Sequence, residues 1–308
     1  MRRLAAVAAV AAMALAPQVP AQTNTNSGVL LELPASTRAL ALGNSFVAAG
    51  TDEAAIFYNP AQLAEVHKIS AGLSVQQWFL SSTLAAAAAA THLWHGTIGV
   101  GLQVLDYGTT ERVIVGDPSS GSDPGATISA GGDYVASLAY AVNVHGVRLG
   151  ATGKYVSQRL VDQSAGTGAA DFGAAFDIKG VTFGASLLNV GGDISILDDR
   201  RPLPRMVRVG TAVPVHGIGP LDFLATIEVA SIRDGKAQPL GGVEVTYHAT
   251  SDIALLGRVG ALARPEGAAI SPVSFGGGLR ARNLALDYAY EGSDVLGATH
   301  RVGVRWWR

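Results

Sequence analysis

The stretch TDEAAIFYNPAQLAEV, Thr51 to Val66, is the one part of the chain beyond its first twenty residues that reads as neither strand nor turn, so the fold depends on where it sits. Thr51 can cap a helix start. Asp52 and Glu53 fall in the first turn, where acidic side chains suit unpaired N–H groups, and Ala54 to Tyr58 continue it. Asn59 precedes Pro60 and is biased out of the helical region. Pro60 suits the first position of a second short helix through Leu63 to Val66. The expected unit is helix, Asn-Pro corner, helix. It fits either a surface hairpin between strands or an internal plug made by Asp52, Glu53, Phe57, Tyr58, Asn59, Pro60 and Leu63, and the rest of the chain favours the plug.

The amino terminus carries Met1-Arg2-Arg3, an apolar run from Leu4 to Ala16, and a small residue, Ala21, before Gln22. That pattern predicts a secretory signal over residues 1–21, cleaved after Ala21. The run is shorter than the ~20 residues of a membrane helix. There are no cysteines, which excludes disulfides, thiolate metal sites and catalytic thiols. Net charge is −2 and no long basic run occurs, so no nucleic-acid partner is expected. Charged residues make up only 15% of the chain, against about 25% in ordinary soluble domains. A soluble surface needs more charge, and no helical membrane segment follows the signal to explain the shortage.

From His67 onward the chain divides into fourteen segments separated by Gly, Asp, Asn and Ser clusters. Many alternate with period two, as pleated strands do: Ile98, Val100, Leu102 and Val104 share one face, and Thr97, Gly99, Gly101 and Gln103 the other. The run Ala85 to Ala90 has strong helix propensity; it is read as strand because it sits where a hairpin partner is needed. Tight connections, at His145-Gly146, Lys179-Gly180, Thr250 and Arg282-Asn283, mostly alternate with longer ones, including Asp106 to Ser129, Val161 to Gly166 and Val190 to Pro202. A sandwich or propeller gives no such alternation. A fourteen-stranded, antiparallel, up-and-down transmembrane β-barrel does, with short periplasmic turns and longer outer loops. Its closure removes the sheet edges that lipid does not tolerate. The expected organisation is signal 1–21, an amino-terminal segment with the lumenal plug over 22–66, and an all-β membrane barrel over 67–308.

With apolar faces outward, Arg208, Glu228, Glu244, Arg258, Arg280, Asp287, Arg301 and Arg305 point into the lumen. A charge facing the bilayer centre costs about 2–4 kcal/mol for Arg, so these residues form either a ladder of pairs or a solvated lining. Inward positions on the third to seventh strands are mostly small, leaving room for Phe57, Tyr58 and Leu63. Trp78, Trp94, Trp306 and Trp307 lie near strand ends and are expected in interfacial aromatic girdles.

Two ordered motifs, Arg38-Ala-Leu-Ala-Leu-Gly-Asn-Ser-Phe-Val-Ala and Asp52-Glu-Ala-Ala-Ile-Phe-Tyr-Asn-Pro-Ala, resemble the amino-terminal signature of the PorV/PorQ family, itself similar to the FadL fatty-acid transporter fold. Ser186-Leu-Leu-Asn-Val-Gly, Leu203-Pro-Arg-Met-Val-Arg-Val-Gly, Leu286-Asp-Tyr-Ala-Tyr and Leu296-Gly-Ala-Thr-His-Arg-Val resemble its later motifs. The resemblance runs from about residue 30 to the end. It implies an outer-membrane barrel, in contact with outer-membrane lipid, with an amino-terminal segment inside. PorV-type members receive or shuttle cargo in type IX secretion, which implies a secretion-system protein or exported cargo as partner. FadL-type members pass hydrophobic molecules, which implies a hydrophobic ligand instead.

No catalytic set stands out, and an enzyme is not expected. The seven histidines lack ligand spacing, Gly99-Val-Gly101 and Gly276-Gly-Gly278 lack the setting of a phosphate loop, and the Asp-Pro and Asp198-Asp199 pairs are explained by turns more simply than by calcium. No cofactor or metal is expected.

Overall fold

The computed structural model describes residues 26–111, 127–196, 199–233, 235, 237–264, 270–293 and 295–308. The predicted signal, with its cleavage point, lies outside them. No helix among them is long and apolar enough to cross a membrane.

Fourteen strands close into one antiparallel barrel. In chain order the first strands are β1 (Ile69–Gln77), β2 (Thr83–Leu93) and β3 (Gly96–Asp106), followed by a short hairpin of β4 (Thr109–Glu111) and β5 (Thr127–Ser129). The wall continues with β6 (Gly131–Val144), β7 (Val147–Leu160), β8 (Gln163–Ile178) and β9 (Val181–Gly191). A second hairpin, β10 (Asp193–Ile196) and β11 (Asp199–Pro202), precedes β12 (Met206–Ile218), β13 (Leu221–Ile232), β14 (Gln238–His248) and β15 (Ile253–Leu262). β16 (Ile270–Ala281), β17 (Leu284–Ser293) and β18 (Gly297–Trp307) complete it, and β18 closes on β1 with Leu73 opposite Val304.

Every wall strand finds its ladder partner on both sides, as a bilayer requires of backbone polar groups. Side chains alternate accordingly. Val100, Leu102, Leu138, Leu149, Phe172, Val209, Leu255 and Val302 stand outward with two-fifths or more of their surface exposed, a face suited to lipid rather than water.

The alanine run is strand despite its helix propensity. β2 is hydrogen-bonded between β1 and β3, and Ala86, Ala88 and Ala90 are buried against Phe57 and Ile56, so long-range pairing and close packing decide it over local preference. The connection predicted over 161–166 is instead a tight turn. Leu160 pairs with Gln163, and Val161 takes a left-handed φ of 54° to reverse the chain. Not every connection at the long-loop end is therefore long. At the opposite, short-turn end, His145, Lys179 and Arg282 take the same left-handed geometry in their turns.

Candidate functional site

The amino-terminal segment, residues 26–66, is largely buried and contacts wall strands on opposite sides of the barrel, β1 to β3 and β6 to β8 on one side and β15 to β18 on the other. Its one α-helix, α1 (Thr37–Ala41), is capped by the Ser36 side chain and touches β15 to β18. Two 3-10 turns follow, Glu53–Phe57 and Pro60–Glu65. The first is capped by Asp52, whose carboxylate accepts from the Ala54 N–H, and not by Thr51. Asp52 takes the extended cap conformation, and Thr51 stays outside the turn as an exposed residue. Asn59 caps the second turn and Pro60 opens it.

The Asn-Pro corner is fully buried and every polar group of Asn59 is used. Its amide donates to the Val47 carbonyl at 2.8 Å and to the Ala174 carbonyl of β8 at 3.2 Å, while Oδ1 accepts from the Ala61 N–H. Gln62 donates to the Ala48 carbonyl at 2.7 Å. The Tyr58 hydroxyl accepts from the Ala35 and Ser36 N–H groups, and its own carbonyl accepts from Ser186 of β9 at 2.7 Å. Burial holds the Tyr58 phenol above its ordinary pKa, against Arg301 and Arg208, which pull it down. It remains a neutral acceptor. These bonds satisfy polar groups that would otherwise be orphaned in a dry interior.

Glycine makes the close seating feasible. A Cβ at Gly150 or Gly173 would strike Pro60 or Asn59, and one at Gly101 would lie 2.8 Å from the Phe57 ring. The same holds on the far wall, where Gly242 and Gly260 face Leu42 and Gly43. Close approach of backbone to backbone is a standard use of glycine inside strands. The small-residue wall therefore surrounds the segment and is not confined to the third to seventh strands.

The lumenal charges are paired in a chain. Arg305 bonds Asp52; Asp52 faces Arg38 at 3.7 Å; Arg38 holds Glu244 through two hydrogen bonds, at 2.9 and 3.0 Å. Glu244 also accepts from Arg258 at 2.6 Å, and Arg258 reaches Asp287 at 2.5 Å. Separately, Glu228 accepts from Arg208 and from the Phe46 and Val47 N–H groups, at 2.5, 2.8 and 2.9 Å. Arg301, fully buried, has no carboxylate partner among the described residues and bonds the Pro34 and Ala35 carbonyls, Ser74 and Gln76. Arg280 joins none of these sets.

Some charges escape the sequence reading of the third to seventh strands as small-lined. Lys154 and Asp171 form a buried pair at 2.7 Å, Arg148 bonds Glu65 and Asp177, and Asp133 is buried under the Leu30 N–H. Period-two parity was the available signal: Arg148, Thr152 and Lys154 share the inward face of β7 with Gly150.

At the long-loop end the interior beside β2, β3, β6 and β7 is largely apolar. Leu30, Leu84, Leu105, Val135, Val156, Ile194 and Leu203 form one buried cluster, edged by Trp78 and Tyr107. Trp78 thus packs into this inner cluster and is not a girdle residue: it stands at the start of the 3-10 turn Phe79–Ser81, with its ring centroid 5.6 Å from that of the buried Phe79. Trp307 is likewise turned inward, with the Arg305 guanidinium 5.3 Å from its ring. Trp306 alternates to the lipid side, and Trp94 is 80% exposed in a short turn. Between the segment and the β1–β2–β18 wall lies a cavity of only about 40 Å³, room for a few waters at most. Two larger cavities, about 320 and 340 Å³, open at the short-turn end.

No protein-family model and no curated protein matches the chain. Solved barrels do, at low identity. The toluene transporter TbuX of Ralstonia pickettii aligns with a TM-score of 0.57 and 14% identity, over 91% of this chain and 100% of that one. The toluene transporter TodX of Pseudomonas putida gives 0.56 and 12%, over 94% and 98%; a Pseudomonas aeruginosa FadL homologue gives 0.56 and 12%, over 89% and 98%. The chain has the FadL-type barrel fold. At such identities the likeness speaks to fold alone, and it reaches the FadL side of the expected resemblance without singling out PorV/PorQ.

Within this fold burial weakens the charge of Glu53. It is buried in the first 3-10 turn and bonds Ser70. Burial, and then the neighbouring Asp52, raise its pKa from 4.5 to about 7, against the opposing pull of Arg305 and Ser70. The folded state therefore holds this proton more tightly than the unfolded chain, so stability falls as pH rises from about 4.5 to about 7 and is flat above. Glu53→Gln removes that loss. The variant is expected to exceed the parent in stability at pH 8 by on the order of 1–3 kcal/mol, the difference vanishing near pH 5. Thermal unfolding of both proteins across that range checks it; a constant offset at all pH values would refute it.

Proposed function

We propose that this chain is an outer-membrane barrel, exported by the signal over residues 1–21, that passes small hydrophobic molecules inward, with residues 27–66 acting as the plug that closes its lumen. The observation that carries the reading is the polarity of the interior. One side of the long-loop mouth is lined by aliphatic side chains from seven wall and loop elements, while the chain of charges from Arg305 through Asp52, Arg38, Glu244 and Arg258 to Asp287 is held by β14, β15, β17 and β18. An apolar concavity with few polar groups suits a hydrophobic ligand; a water-filled pore for ions or sugars would place its polar groups at the mouth. The barrels it resembles in fold are toluene transporters and a FadL homologue. Because the cavity between the segment and the β1–β2–β18 wall is only about 40 Å³, passage along that wall requires the segment to shift.

A PorV/PorQ-type role with a secretion partner has less behind it. Its structural support would have to come from the loop between β3 and β6, of which residues 112–126 lie outside the described region.

Uptake of a labelled monoaromatic hydrocarbon by cells lacking their own carriers tests the proposal. Expression is expected to raise the initial rate several-fold, and Leu84→Glu with Val135→Glu, which charge the mouth, to return it to background. Equal uptake with and without the barrel, together with co-purification of exported proteins from detergent extracts, would overturn it in favour of the secretion role.

A further inference from the structure

The lumenal arginines divide into those that hold a partner and one that does not. Arg38, Arg208, Arg258 and Arg305 each hold a carboxylate, and Arg301 is bonded to carbonyls and side-chain amide and hydroxyl groups. Arg280, on the inward face of β16 two residues before the turn, has no hydrogen-bond or ion-pair partner among the described residues. Its guanidinium offers five N–H groups in a fixed fork. They do not lie in a dry crevice, for Arg280 lines both of the larger cavities at the short-turn end, of about 320 and 340 Å³, and these meet at Arg38, Thr51 and Arg280.

The surroundings favour an anion there. Arg38, Arg258 and Arg305 bear on Arg280 electrostatically, and Glu244 is the carboxylate that does so. Glu244 is already engaged at both oxygens, by Arg38 and Arg258. Asp52 and Asp287 are taken by Arg305 and Arg258, and Glu53 is turned to Ser70 of β1. The other carboxylates lining the two cavities, Glu65 and Asp222, are held by Arg148 and by His216 and His248, so among the described residues no carboxylate pairs with Arg280. Lys68 and His67 on the rim of one cavity, and His216 and His248 on the rim of the other, add further donors facing the same opening, although both of the latter share Asp222. Each cavity also has apolar wall: Phe223 and Leu224 in one, Val66 and Trp307 in the other.

We infer that the short-turn mouth of the barrel is a binding site for a small oxyanion, a carboxylate or phosphate group received by the fork of Arg280, with room beside it for a small apolar body. Guanidinium is matched to both groups by its bidentate geometry, and low-dielectric walls strengthen the attraction relative to water. The site stands on its own geometry and not on the hydrocarbon passage proposed above; binding to the purified full-length barrel tests it without reference to transport.

Isothermal titration of the detergent-solubilised protein with benzoate and, separately, with inorganic phosphate distinguishes the two sources of the anion. Saturable binding of at least one is expected. Arg280→Gln is expected to weaken it about tenfold or more, consistent with loss of a charge-assisted pair; Arg280→Lys should retain part of it. Arg282→Gln, which alters an exposed arginine bonded to Asp252, should leave it unchanged. Because Arg280 bonds nothing in the protein, the Gln variant should migrate in heat-modifiable gels as the parent does. Benzoate binding alone places the apolar body in the site, and phosphate binding alone reduces the inference to a bare anion site. Absence of saturable binding of either anion by the parent, or equal affinity in parent and Arg280→Gln, would overturn it.

Discussion

Deletion of residues 28–63 is expected to leave a barrel that assembles, migrates as a folded band on unheated gels, and conducts ions in planar bilayers where the parent is silent. Assembly should survive because the wall's hydrogen bonds are all between strands, and a closed ladder is sufficient for a bilayer. Conductance should appear because the deleted residues include the buried corner Asn59-Pro60 and the buried aromatic pair Phe46–Tyr58, whose ring centroids are 5.1 Å apart. Heat resistance should fall as well. Glu244, Arg305 and Glu228 lose partners on the segment, and the inward glycines lose the backbone they were packed against. Equal conductance and unchanged heat resistance would mean that the segment does not close the lumen.

The second large effect is expected at Glu228. This carboxylate is 1% exposed and accepts three bonds, two of them from the Phe46 and Val47 backbone. It therefore ties the segment to β13 while neutralising Arg208 of β12. Glu228→Ala leaves a buried guanidinium uncompensated, which costs about 3–5 kcal/mol. Adding Arg208→Met should recover part of that loss, since an apolar replacement of a whole buried pair is often near neutral. It should not recover all of it, because the two backbone N–H groups remain without their acceptor. Thermal unfolding of the single and double variants separates these contributions. A double variant as stable as the parent would show that the carboxylate serves only the arginine, and a single variant within about 0.5 kcal/mol of the parent would remove Glu228 from the seating of the segment.

Much of the wall was legible because its physics is local. Period-two alternation assigned Val100 and Leu102 outward and Gln103 inward, and turn residues at His145-Gly146 and Lys179-Gly180 marked the reversals. Even the alanine run was recoverable, since a strand was needed between its neighbours. The interior was legible only as an inventory. Parity places Arg305, Glu244 and Arg258 on inward faces, but the order Arg305, Asp52, Arg38, Glu244, Arg258, Asp287 depends on the path of a segment some two hundred residues distant in sequence. Trp78 and Trp307 misled for a related reason. Each stands at a strand end, where an aromatic girdle belongs, and whether such a residue turns to lipid or to lumen is set by the next turn of chain. Gln62, fully buried and bonded to the Ala48 carbonyl, carried no signal beyond its place three residues after Asn59.

The segment's mobility is the point on which the proposed passage stands. The chain contains no cysteine, so a single engineered disulfide can lock the segment without side reactions. A Cβ built at Gly303 of β18 lies 3.0 Å from the Thr37 Cβ of α1, and a slight outward shift brings the pair to the roughly 3.8 Å that a disulfide prefers. The measurement is hydrocarbon uptake by cells carrying Thr37→Cys with Gly303→Cys, before and after reduction. The account predicts background uptake in the oxidised form and recovery towards the parent rate on reduction, with each single variant at the parent rate throughout. Full uptake through the oxidised, verifiably cross-linked barrel would contradict it.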